Sequence, residues 1–126
     1  MRDPLLFTGA ALAALGVALG AFGAHGLRPR LGDAIATWET AVFYHLIHAL
    51  AIVVVAALAR ADAELVGLRG VGWLFCAGIV LFSGSLYLLA LGGPRLLGPV
   101  TPLGGVAFIA AWAWLAVIAL RGGAGS

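Results

Sequence analysis

Residues 38–50, Trp-Glu-Thr-Ala-Val-Phe-Tyr-His-Leu-Ile-His-Ala-Leu, decide how this chain is interpreted. The stretch opens the second of four apolar segments and contains most of the polar side chains that these segments carry: Glu39, Tyr44, His45 and His48. Ionisable side chains at membrane depth are costly, and they usually face the interior of a helix bundle, a partner or water. The sequence therefore predicts that any functional site is centred on this helix.

Composition places the chain among integral membrane proteins. Of its 126 residues, 63% are hydrophobic and 10% are charged, lysine is missing, and the mean hydropathy is +1.13. Soluble domains are about half apolar and about a quarter charged. The net charge of +2 comes from arginines scattered singly through the predicted turns, which form no basic face for nucleic acid. We expect one all-α membrane domain over residues 1–126, with no nucleic-acid partner.

Four apolar runs are each long enough to cross about 30 Å of hydrocarbon as a helix. They cover residues 5–24, 36–59, 71–91 and 102–120. A cleaved signal peptide is the competing interpretation of the first run, because small residues end it. That run exceeds the usual apolar length of about 7–15 residues, and Asp3 offsets the charge of Arg2, so we retain it as a helix. The sequence predicts a four-helix membrane bundle.

The turn after the first span carries two arginines, Arg28 and Arg30, whose charges suit a lipid headgroup layer. Gly26 is expected to end the first helix in a left-handed conformation, and Asp33 to cap the second helix. Trp38 is then expected to lie in the aromatic belt at the membrane surface.

The remaining turns carry glycine, proline and threonine signals. Gly92 to Pro94 is expected to end the third span with a glycine cap and a helix breaker. Thr101 is expected to be the N-cap of the fourth helix, with Pro102 in its first turn.

Glycines inside the spans predict close approach of helix backbones. Small residues permit such contacts in membranes, where no hydrophobic force drives helices together. The candidates are Gly16, Gly20, Gly84, Gly104 and Gly105. A dimer seam and packing within one chain both explain the glycines of the first span, and we favour packing within the chain.

The polar side chains of the second span do not share one helix face. Tyr44 and His48 lie on one stripe, His45 lies to one side of it, and Glu39 lies roughly opposite His48. A structural role, with each imidazole bonded to a neighbouring helix, competes with a functional site. Two serines of the third span, Ser83 and Ser85, are expected near mid-membrane, where a contact with His48 is plausible.

Four motifs occur in order along the chain: Gly20 to Leu27, Trp38-x-Thr-Ala-x-x-Tyr-His with His48-Ala-Leu, Phe82-Ser-Gly-Ser-Leu-Tyr87, and Thr101-Pro-x-Gly-Gly105. Together they resemble the family of small membrane proteins called domain of unknown function 423, over nearly the whole chain. The resemblance implies a four-span protein of the bacterial inner membrane, with related proteins in animal mitochondria, and no established activity. Within that pattern, His48 and His25 are better candidates than His45 for a family-wide role.

The arginine distribution favours a cytoplasmic location for both termini. Predicted segments on the terminal side hold four arginines, and those on the opposite side hold three. The amino terminus adds one more positive charge to the first set.

Three classes of function remain. A structural or accessory subunit, packing with itself or with a larger membrane complex, needs no further chemistry and is favoured. A small transporter or channel, or a lipid- or quinone-binding protein, would use the polar residues of the second span. Catalysis and cofactor binding are disfavoured, because the third and fourth spans contain no histidine and no acidic residue. We expect membrane lipids as partners and no cofactor.

Overall fold

The computed structural model describes residues 2–121, which form helices joined by short turns. The helices are α1 (Pro4–Ala24), α2 (Arg28–Leu31), α3 (Ile35–Ala61), α4 (Leu68–Gly78), α5 (Gly84–Ala90) and α6 (Val100–Arg121). A π-helical segment, Ile79–Ser83, joins α4 to α5, so that these three pieces form one continuous span. Four helical stretches are thus long and apolar enough to cross a membrane, and the prediction of an all-α membrane bundle is confirmed.

Helix α1 packs against α3 through glycines placed seven residues apart. Three such glycines are buried on α1: Gly9, Gly16 and Gly23. A Cβ added at these positions would collide with side chains of α3: Ile52, Leu46 and Trp38, in that order. A period of seven keeps the glycines on one side of the helix. The pairing runs in opposite directions along the two helices, which makes α1 and α3 antiparallel.

The third span and α6 are also antiparallel and interlock through glycine. The ring of Phe108 lies against Gly78, and the ring of Trp114 lies against Gly70. Near the other end the roles reverse, because Gly104 of α6 receives the backbone of Phe82. Helix α6 packs mainly on α4 and the π segment, whereas α1 packs mainly on α3. Consequently α3 and the third span are central, and α1 and α6 flank them.

The apolar core lies where the two central spans meet. Its most deeply buried side chains include Ile52 and Val55 of α3 together with Val71 and Phe75 of α4. Leu5 at the start of α1 joins this core over Gly72. The core therefore lies in the half of the bundle where α1 begins and α6 ends.

The first turn differs from the sequence expectation. Gly26 does not have a positive φ; Gly32 does, at +53°. Asp33 lies in a short 3₁₀ turn, and α3 begins after Ala34 without a side-chain cap. The reason is the extra helix α2, whose first turn accommodates Pro29 and displaces the left-handed residue towards α3.

The third turn begins as the sequence predicts, at Gly92, but it ends differently, at the start of α6. Gly92 has a φ of +92°, and its N–H bonds to the carbonyl of Leu89, as a glycine cap requires. Thr101, by contrast, lies within α6, which begins at Val100. The expectation of a threonine N-cap was wrong, because the Thr101 hydroxyl is bonded to another span.

Candidate functional site

His45 connects three helices near the middle of the bundle. Its Nε2 lies 2.7 Å from the carbonyl oxygen of Leu12 on α1, and its Nδ1 lies 2.8 Å from the hydroxyl of Tyr87 on α5. Gly16, one turn after Leu12, leaves the Leu12 carbonyl oxygen open to His45, because a Cβ at Gly16 would lie only 3.2 Å from the His45 Cδ2 atom. The imidazole is 2% exposed.

His48 connects α3 to α6. Its Nδ1 lies 2.8 Å from the carbonyl oxygen of Tyr44, one turn earlier, and its Nε2 accepts a hydrogen bond from Trp112 Nε1 over 3.0 Å. The ring of Phe108 stacks on the imidazole, with centroids 3.6 Å apart and planes within 9°. His48 is 4% exposed, so both of its nitrogens are satisfied inside the protein.

Hydrogen-bond partners and burial together fix the protonation state of both imidazoles. A carbonyl oxygen can only accept, so Nε2 of His45 carries a hydrogen. Nδ1 then accepts from the Tyr87 hydroxyl, because a second ring hydrogen would place a charge on an imidazole that is only 2% exposed. The reverse holds in His48, where Nδ1 donates to a carbonyl and Nε2 accepts from an indole N–H that cannot itself accept. The two histidines are therefore neutral and are opposite tautomers.

Trp38 extends the same pattern to the end of α1. Its indole Nε1 donates to the carbonyl oxygen of Leu19 over 2.8 Å, and its ring lies on Gly23, four residues later. The side chain is 3% exposed. The expectation that Trp38 lies in a surface aromatic belt was wrong. The missing side chain of Gly23 on α1 leaves space in which the Trp38 ring is buried.

The serines of the third span bond to α3 and α6 instead of to His48. Ser83 Oγ donates to the carbonyl oxygen of Ala41 over 2.8 Å. Ser85 Oγ donates to Phe82 O and shares a 2.5 Å contact with the hydroxyl of Thr101. The expected contact between His48 and a serine was wrong, since both nitrogens of that imidazole already have other partners.

The structure does not bring all the predicted polar residues together. His25 is exposed in the turn after α1, and Glu39 is exposed on α3, away from the two buried imidazoles. Arg28 and Arg30 are also exposed on α2. Within residues 2–121, no group of three or more histidine, cysteine or acidic side chains is placed to hold a metal ion.

Tyr44 lies beside an open groove between α3 and α6. The groove has a volume of about 410 Å³ and is lined by rings of Tyr44, Phe82, Phe108 and Trp112, with His48 at its base. We call it the aromatic groove. An adjoining apolar cavity of about 240 Å³ continues along the same two helices. The groove lies between α3 and α6 because both helices pack on the third span. The two helices are joined to each other by the hydrogen bond between Trp112 and His48.

Only part of the predicted glycine set makes close helix contacts. Gly16 and Gly20 face α3, and Gly104 faces the backbone of Phe82. An added Cβ at Gly84 would meet nothing closer than 3.9 Å, and one at Gly105 would meet the Phe82 ring at the same ordinary distance. Gly84 and Gly105 are therefore not close-packing positions.

A charged cluster closes the end of the bundle that contains the termini. Asp3 caps α1 by accepting from Leu6 N over 3.0 Å, and Arg69 Nη1 donates to the same oxygen over 3.1 Å. Arg60 Nη1 lies 3.8 Å from the other carboxylate oxygen. The backbone hydrogen bond from Leu6, followed by the arginines, holds the pKa of Asp3 below its ordinary value of 3.8, against the opposing effect of desolvation.

Sequence reasoning missed five residues that form the hydrogen bonds described above. They are Asp3, Leu12, Leu19, Tyr87 and Trp112. Two of them contribute only a main-chain carbonyl, which has no sequence signature. One signal was available, because glycines at 9, 16 and 23 show a seven-residue period. That period identifies the face of α1 that receives rings from α3.

Comparisons with known proteins agree on a membrane family without an assigned activity. A sequence profile described as "Protein of unknown function (DUF423)" matches residues 19–105. The UPF0382 membrane protein YwdK of Bacillus subtilis is 49% identical over 117 residues, covering 92% of this chain and 95% of the relative. A UPF0382 membrane protein of Staphylococcus haemolyticus is 41% identical over 113 residues, covering 89% and 91%. No solved structure matches the chain significantly.

Proposed function

The chain belongs to the DUF423 family of membrane proteins of unknown function, and from that premise we propose that it is a structural or accessory subunit of a membrane assembly. One observation carries the proposal. Each buried polar side chain of the spans is bonded to another helix or to its own backbone: His45, His48, Ser83 and Ser85. Such bonds stabilise a helix bundle, and they leave both imidazoles without a free nitrogen for proton transfer.

The same geometry weighs against transport through the bundle. His25 and Glu39 face outwards at one end, whereas the buried imidazoles bond to different neighbours. A polar path would need these groups to line one connected space. The described side chains instead divide into separate pairwise contacts.

The experiment is native mass spectrometry of the tagged protein, released from its own membrane in mild detergent. We expect an assembly of fixed stoichiometry, either with itself or with another membrane protein. Proteoliposomes of the wild type should show the same proton and cation leak as protein-free vesicles. A particle without partners, together with a flux that His48→Ala abolishes while the helical content is kept, would instead establish transport.

The location belongs to the same proposal: a bacterial inner membrane, with both termini in the cytoplasm. In support, the end with the termini carries Arg2, Arg60, Arg69 and Arg121, against three arginines at the other end. A Ser126→Cys variant in a Cys76→Ala background tests this orientation. We expect an impermeant maleimide to label it only after the cells are permeabilised, and labelling of intact cells would reverse the orientation.

A further inference from the structure

The aromatic groove contains a polar group that the fold itself does not use. The hydroxyl of Tyr44 makes no hydrogen bond with any side chain or carbonyl in residues 2–121, and the residue is 38% exposed. Tyr87, the other tyrosine of the chain, differs because its hydroxyl is bonded to His45. An unbonded hydroxyl in an apolar medium is unfavourable. A ligand acceptor beside Tyr44 would remove that cost.

Two of the rings around Tyr44 share its orientation. Its ring is within 5° of the His48 plane and within 11° of the Phe108 plane, with centroids 6.0 and 6.2 Å away. The rings of Phe82 and Trp112 complete the lining of the groove at steeper angles, 53° between Phe82 and Tyr44 and 62° between Trp112 and His48. Aromatic faces bind another planar ring through stacked or edge contacts. A planar, conjugated head group would find both stacked and edge contacts in this groove.

The apolar cavity next to the aromatic groove suits the hydrocarbon tail of a ligand. The adjoining cavity shares Ile47 and Trp112 with the aromatic groove and runs on past Leu50, Val54 and Leu115. Its walls are almost entirely aliphatic, so they offer contacts only to a hydrocarbon chain. The two spaces together match a molecule with one planar head and one apolar tail.

The position of Tyr44 along α3 favours a ligand other than a phospholipid. His48 is the central residue of α3 (Ile35–Ala61), and Tyr44 lies about one turn before it. The ester carbonyls of a bilayer lipid lie at the edges of a hydrocarbon core about 30 Å thick. A carbonyl compound that dissolves in the hydrocarbon can bring an acceptor to the depth of Tyr44.

We propose that the aromatic groove binds a lipid-soluble quinone, whose ring packs against Tyr44, Phe108 and Trp112 and whose tail follows the adjoining cavity. The Tyr44 hydroxyl donates to a ring carbonyl. This binding site is independent of the proposed accessory role, since a subunit with or without partners can hold the ligand.

The test is titration of the purified full-length protein in nanodiscs with decylubiquinone, measuring quenching of tryptophan fluorescence. We expect saturable binding of one quinone per chain. Tyr44→Phe removes the donor and keeps the ring, so Kd should rise about tenfold, as expected for about 1.4 kcal/mol of hydrogen-bond energy. Gly105→Leu fills the groove and should abolish saturable binding.

Decylbenzene is the control ligand, because it has a ring and a tail but no carbonyl. It should displace decylubiquinone only weakly, and with the same inhibition constant in the wild type and in Tyr44→Phe. The proposal is overturned if quinone quenching in the folded wild type does not saturate. It is equally overturned if Tyr44→Phe, with wild-type helical content, binds decylubiquinone with unchanged Kd.

Discussion

Trp112 and His48 form a hydrogen bond that joins α6 to α3, with the indole N–H donating to Nε2 over 3.0 Å. The other imidazole nitrogen donates to a carbonyl of its own helix. Neither ring nitrogen is then free, and the stacked ring of Phe108 covers one face. A histidine in the middle of a membrane helix is thereby explained as a connection between spans.

The His48–Trp112 pair should show a measurable coupling energy. We expect a double-mutant cycle of His48→Phe and Trp112→Phe, which keeps a ring at each position, to give about 0.6–1.7 kcal/mol, the range for hydrogen bonds between membrane helices. Reversible unfolding in bicelles measures it. A coupling energy of zero would mean that the bond contributes nothing to stability.

The two tyrosines provide a matched comparison. Tyr87→Phe leaves Nδ1 of the buried His45 without its donor, so we expect the free energy of unfolding to fall by about 1–3 kcal/mol. Tyr44→Phe removes a hydroxyl with no bond in the described chain, so it should leave the free energy of unfolding unchanged or raise it. Equal losses for the two variants would contradict the assignment.

Gly104 and Gly105 should respond differently to alanine. A Cβ at Gly104 would collide with the backbone of Phe82, which cannot move without displacing the π segment, so we expect destabilisation of about 1–3 kcal/mol. Gly105→Ala adds a methyl group at ordinary contact distance and should be neutral, or stabilising by up to about 1 kcal/mol. Thermal unfolding of both variants measures the difference, and the opposite order would disprove the α6 packing.

Asp3 should give the bundle an acid-dependent contribution to stability. Its pKa is lowered in the folded state, so the contribution is complete well above 3.8 and is lost as the pH falls through the lower folded pKa. Asp3→Asn keeps a good N-cap residue but removes the charge that pairs with Arg69 and Arg60. We expect the variant to be less stable than the wild type by a constant amount between about pH 5 and 8, with the difference vanishing in stronger acid. A difference that grows on acidification would have the wrong sign.

The sequence was sufficient for the fold and insufficient for the site. Long apolar runs predict four spans because the backbone must satisfy its own hydrogen bonds in lipid, and helices were found over all four. The partners of the polar residues could not be predicted in the same way. His45 bonds to Leu12 through a main-chain carbonyl, and Trp38 is buried because Gly23 lies opposite it. Both facts depend on the register between two helices, which hydropathy does not encode.

The π segment escaped prediction for a related reason. Ile79–Ser83 contains no proline, and its one extra residue per turn leaves no mark on an apolar sequence. The segment precedes the helix that carries Ser85 and Tyr87, and it ends at Ser83, whose hydroxyl bonds to α3. The observed span covers Leu68–Ala90 and contains the π segment. A regular α-helix predicted over residues 71–91 therefore assigns the side chains after that segment to the wrong face.

The central claim is that both buried histidines are neutral, doubly bonded connections between helices. Nitrogen-15 NMR of histidine-labelled protein in bilayers at pH 7 tests it most directly, with His45→Asn and His48→Asn used to assign the signals. We expect His45 to carry its proton on Nε2 and His48 on Nδ1. An imidazolium signal from either ring, or the same tautomer in both, would contradict the account.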